Sequence, residues 1–158
     1  MQFFVSVTGK NLMEKRHCSP IELIKIASQY AYCAGHLLHI ETTPTHDSVD
    51  LQDKLLPVIS LVYSAFELTL KAYCLHYYAL IKPAKNLLEL LEINDELTLS
   101  KKEIGLVRNL SYQYAIHKGI DYDLWSDRQE MHVFCYDIIA LYERLQTMMP
   151  VGLQADYQ

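Results

Sequence analysis

The chain has 158 residues, 51% apolar and 21% charged, with a formal net charge of −5. That length suits one domain with a full hydrophobic core, and the apolar content excludes a disordered tail. Five glycines and five prolines are too few for a turn-rich all-β fold, and the acidic balance excludes a generally basic nucleic-acid binder. The aromatic content is skewed, with twelve Tyr against four Phe and one Trp.

Residues 1–18 read as an N-terminal arm, with Phe3, Val5 and Val7 alternating as in a short extended segment. They lack the basic start and long apolar run of a signal peptide. The first helix opens on Ser19-Pro20-Ile21-Glu22, a capping box with Pro at the first helical position. Ile24, Ala27, Ala31, Ala34 and Leu38 then recur at helical spacing. A polar loop runs from Glu41 to Val49. A long second helix is expected from about Asp53 to Leu80, striped by Leu55, Ile59, Val62, Phe66, Leu70, Tyr73 and Tyr77. Glu67 and Lys71 interrupt its apolar run, and no stretch reads as a membrane span.

Pro83 separates this helix from a short one at about Ala84 to Leu91. A second capping box, Ser100-Lys101-Lys102-Glu103, opens the next helix, which carries Ile104, Val107, Leu110 and Tyr114 on its apolar face and ends near His117-Lys118-Gly119. The last helix starts at Ser126-Asp127-Arg128-Gln129, is lined by Met131, Phe134, Ile138, Tyr142, Leu145 and Met149, and ends at Pro150-Val151-Gly152. The expectation is one all-α domain, an antiparallel up-and-down bundle of four to five helices with its core over residues 19–150.

No cofactor and no metal site are implied. His36 and His39 lie three apart without an acidic partner beside them, and a di-iron bundle needs more ligands than the single Glu14-x-x-His17. Cys18, Cys33, Cys74 and Cys135 form no CxxC pair and read as reduced, buried thiols of a cytoplasmic protein. Neither a nucleophile elbow nor a phosphate loop is present.

Two clusters stand out. Glu67 and Lys71 are four apart on an apolar helix, as an ion pair or as part of a binding site. In the second, Lys101, Lys102, Arg108 and Lys118 against Glu103 give residues 101–118 a net +3 in an acidic chain. Arg108, Asn109, Tyr112 and Gln113 there suit phosphate contact and base stacking, or a solvated helix face. Tyr112 and Tyr122 are the tyrosines near this basic segment.

The segment Phe66-Glu67-Leu68-Thr69-Leu70-Lys71-Ala72-Tyr73, followed by Lys85-Asn86-Leu87-Leu88-Glu89-Leu90-Leu91 and later by Arg108-Asn109, resembles the HEPN superfamily over about residues 20 to 148. The resemblance implies a dimeric helical bundle whose Arg motifs meet at the interface. It also implies a metal-independent ribonuclease of toxin–antitoxin or phage-defence systems, or a non-catalytic partner of a nucleotidyltransferase or antitoxin that binds nucleotide or RNA. The active pattern is an Arg, four to six residues, then His. Here Gln113 stands where the commonest form has His, and His117 falls about 180° around a continuous helix from Arg108. Gln cannot exchange a proton near neutral pH. The expectation is therefore a non-catalytic binding homodimer. Its alternatives are a ribonuclease using Arg108 and His117, and a structural assembly module.

Overall fold

The computed structural model describes residues 18–40, 52–117 and 128–157. These form six helices and no strands: α1 (Pro20–Ile40), α2 (Gln52–Tyr78), α3 (Leu87–Ile93), α4 (Lys101–His117), α5 (Arg128–Thr147) and α6 (Val151–Tyr157). The expected all-α bundle is present. The arm over residues 1–17, the 41–51 loop, Tyr122 and the start of the last helix at Ser126 lie outside the described residues.

Local chemistry starts the helices where the sequence indicates. The Ser19 amide donates to Glu22 Oε2 at 2.9 Å, and the Glu22 amide donates to Ser19 Oγ at 3.3 Å. The same reciprocal pair recurs at α4, with the Ser100 amide on Glu103 Oε2 at 2.7 Å and the Glu103 amide on Ser100 Oγ at 3.3 Å. The short helix begins later than expected. Asn86 is its N-cap, accepting from the Glu89 amide at 3.0 Å, so Ala84 and Lys85 remain outside it.

α2 is the central element, packed against α1, α3, α4 and α5. Its Val58, Ile59, Val62, Ala65, Phe66, Leu70 and Tyr73 are all buried. By length and composition Leu55–Tyr78 is apolar enough to cross a membrane, which corrects the expectation that no segment is; 56% of that stretch is buried within the bundle. α2 and α5 run in the same direction: Phe66 and Thr69 meet Tyr142, while Tyr73 donates to the Leu145 carbonyl at 2.9 Å. The Thr69 and Tyr142 hydroxyls lie 3.0 Å apart in the core. These bonds satisfy phenols that burial has pushed upward in pKa, so Tyr73 and Tyr142 stay neutral, core-compatible groups.

Three expectations change. α2 stops at Tyr78 rather than Leu80, with Ala79 in the left-handed region at φ 57°, so Tyr77 sits at a helix end and is exposed instead of core. Cys33 is exposed, whereas Cys74 and Cys135 are buried; none of the four is in a disulfide among the described residues. The helical core does not finish at Pro150. The Pro150 carbonyl accepts from the Leu153 amide at 2.8 Å and opens α6, whose Leu153 is buried. Tyr157 then reaches α1, its hydroxyl 3.0 Å from Ser28 Oγ, and Gln146 of α5 donates to the same Ser28 oxygen at 3.0 Å.

Candidate functional site

α4 has a strongly divided circumference. Val107 and Leu110 are fully buried, and Tyr114 stacks on Tyr63 of α2 with ring centroids 3.7 Å apart. Burial is the main reason the Tyr63 phenol titrates above its usual range, with Glu67 adding to it. On the other side, Arg108 and Asn109 are exposed and Tyr112 is 60% exposed. At about 100° per residue, Arg108, Tyr112, Asn109 and Gln113 fall within an arc of about 140°, which also contains Lys101 and Gly105. The four sequence-selected residues thus share one face. Gln113 Nε2 donates to Asn109 Oδ1 at 3.4 Å. Arg108 makes no ion pair or hydrogen bond with any described residue. A Cβ added at Gly105 would meet nothing within 4 Å, so the backbone there is open to close approach.

One edge of this face descends into a cleft of about 390 Å³ between α3, the 94–99 connection and α4. Leu88, Leu91, Leu97 and Ile104 form its apolar walls, and Glu92, Asp95 and Arg108 its charged members. Asn94 also lines it and is 3% exposed. Asn94 holds the cleft together from behind: its Nδ2 donates to the Leu70 carbonyl at 3.1 Å and to the Leu90 carbonyl at 2.8 Å. Its Oδ1 is buried and has no hydrogen-bond partner among the described residues.

The opposite edge of α4 meets α5 at a second cleft, of about 490 Å³, lined by Glu103, Asp137 and Arg144. Glu103 and Arg144 compensate each other here, and Lys102 and Asp137 complete the charged lining. Arg144 Nε lies 3.1 Å from Glu103 Oε1, and Arg144 Nη2 donates to the Thr98 carbonyl at 3.3 Å. The Ser100 amide, aided by the Ser100 hydroxyl and by Arg144, holds the Glu103 carboxyl below the usual carboxylate range against its partial burial.

Glu67 and Lys71 stand apart from this group. Lys71 Nζ is 2.8 Å from Glu67 Oε1, and both side chains are about a third exposed. No hydrogen bond or ion pair joins them to Arg108, Asn109, Tyr112 or Gln113 among the described residues. They form the partly exposed i,i+4 pair that their spacing indicates. α4 is unbroken from Lys101 to His117, so positions 108 and 117 remain on opposite sides of the helix. No group of three His, Cys, Asp or Glu residues able to hold a metal ion occurs among the described residues.

Compared with family models, curated proteins and solved structures, the chain gives no significant match. The HEPN resemblance therefore rests on the sequence motifs alone. Sequence reasoning selected the exposed face of α4 but missed Asn94, Glu92 and Arg144. The available signal for Asn94 was its position as the polar residue closing Leu87-Leu88-Glu89-Leu90-Leu91-Glu92-Ile93, where an Asn C-cap is favoured.

Proposed function

We propose that this chain is a HEPN-like, cytoplasmic, non-catalytic homodimer that binds the phosphates of RNA or of a nucleotide on the outer face of α4. The observation that carries this reading is Arg108, an exposed guanidinium without a described partner, on the same face as Lys101, Asn109, Tyr112 and Gln113. Arg supplies planar, multiply donating contacts to phosphate, Asn and Gln add neutral donors, and an exposed Tyr offers a stacking surface. The only acidic residue of α4, Glu103, is paired with Arg144, so it does not offset this charge locally. The opposed positions of residues 108 and 117 on an unbroken helix support binding over RNA cleavage.

Fluorescence anisotropy with a labelled single-stranded RNA tests the proposal. Saturable binding that weakens with added salt is expected, and Arg108→Ala is expected to reduce affinity by about tenfold. Competition by AMP separates a nucleotide site from one that needs a strand. Loss of both RNA and AMP binding in the wild-type protein would overturn the reading. Metal-independent RNA cleavage that disappears in His117→Ala would replace it with a ribonuclease. Light scattering at tens of micromolar protein is expected to give twice the mass of one chain.

A further inference from the structure

We infer that the cleft between α3 and α4 is a second binding site, specific for a small zwitterion with an aliphatic side chain: a free aliphatic amino acid or a short aliphatic peptide. Three independent features converge there. The first is the orphaned acceptor. Both hydrogens of the Asn94 amide are engaged by the Leu70 and Leu90 carbonyls, so a flipped amide would face two acceptors with a third. Oδ1 is therefore fixed as an acceptor, and it is buried without a donor among the described residues. A buried polar atom left unpaired costs about 1–3 kcal/mol, which a ligand N–H would recover.

The second feature is the wall. Leu88, Leu91, Leu97, Leu99 and Ile104 give the interior an aliphatic lining without an aromatic ring, and about 390 Å³ lies within the range of small-molecule sites. The third is the arrangement of charge. Glu92 and Asp95 supply carboxylates and Arg108 a guanidinium at the same cleft. An ammonium is matched by the carboxylates and by Asn94 Oδ1, and a carboxylate by Arg108. Two acidic groups against one basic group disfavour a ligand that carries only negative charge. Asp95 also faces Tyr78, whose phenol is pushed upward in pKa by desolvation first and by Asp95 second, so Glu92 is the less committed ammonium partner.

The inference does not rest on phosphate binding by α4, although Arg108 is common to both. Occupation of the cleft would draw Arg108 away from the outer face, so the zwitterion and RNA would compete.

Isothermal titration of the full chain with L-leucine and with L-leucyl-L-leucine tests the site and separates the free amino acid from the peptide. Saturable binding of at least one is expected. Isocaproate, which lacks the ammonium, and isoamylamine, which lacks the carboxylate, are each expected to bind about tenfold more weakly. Glu92→Gln should weaken the zwitterion while leaving isocaproate unchanged, and Arg108→Ala should weaken the zwitterion while leaving isoamylamine unchanged. Both substitutions are at exposed positions, and circular dichroism checks that the bundle is retained. No saturable binding of either zwitterion, or equal binding of the truncated analogues, overturns the inference. Failure to bind RNA leaves it intact.

Discussion

Two arginines border α4 and have opposite circumstances. Arg144, on the α5 side, is tied to Glu103 and to the Thr98 carbonyl. Arg108, on the α3 side, has no described partner, and Asn94, which lines the same cleft, has a buried oxygen without a described partner. Both clefts are comparable in volume and both contain acidic residues. The difference shows that volume does not distinguish structural from available chemistry. What distinguishes the two arginines is whether the guanidinium has already been satisfied by the described residues of the chain.

Stability measurements on the two sides test this contrast. The largest effect is expected from Asn94→Ala, which removes the side-chain donor to the Leu70 and Leu90 carbonyls. Chemical denaturation should show a loss of about 2 kcal/mol, and a loss under about half that would mean the orphaned oxygen had already cancelled the benefit of the two donated bonds. Glu103→Ala removes a capping-box partner and the ion pair to Arg144, for an expected loss of about 1 kcal/mol.

That second loss has a defined pH dependence. The folded-state pKa of Glu103 lies below its unfolded value. Its contribution is therefore complete above the ordinary carboxylate pKa and disappears as pH falls through the lowered folded value. The stability gap between wild type and Glu103→Gln should close on acidification, whereas a gap that widens at low pH would reverse the assigned sign.

Gly105→Ala should stabilise the protein by about 0.5–1 kcal/mol, because the added methyl meets no neighbour and Ala is the better helix former. The same variant should weaken RNA binding if the bare backbone of α4 is approached closely. The smallest effects separate the arginines themselves. Arg144→Ala should lower stability by about 0.5 kcal/mol without changing RNA affinity, and Arg108→Ala should do the reverse.

The fold was legible where local chemistry and periodicity agree. Ser19 with Glu22 and Ser100 with Glu103 mark two helix starts directly, and the stripe from Met131 to Met149 is buried at every expected position. The ends were less legible. The stop at Tyr78 depends on a left-handed Ala79, which carries no compositional signal, and α6 hides behind a Pro-Val-Gly that resembles a terminator but supplies the carbonyl for another turn. Within the candidate site, the shared face of Arg108, Asn109, Tyr112 and Gln113 follows from helical spacing alone. The cleft does not, because Asn94, Glu92 and Arg108 come together only when α3 folds against α4. The free state of Arg108 is likewise a tertiary fact: nothing in its neighbours along the chain distinguishes it from Arg144.

The contact between Ser28 and Tyr157 spans 129 positions of sequence. Gln146 of α5 already spans 118 of those positions to the same Ser28 oxygen, so α6 closes only the short segment beyond it. α6 is short and Leu153 is its one buried residue, so local opening is expected there before the α2 core opens. Amide exchange should begin at this short helix while the α2 core is still protected, making the C-terminal turn a sensor of sub-global opening rather than a determinant of the bundle's architecture.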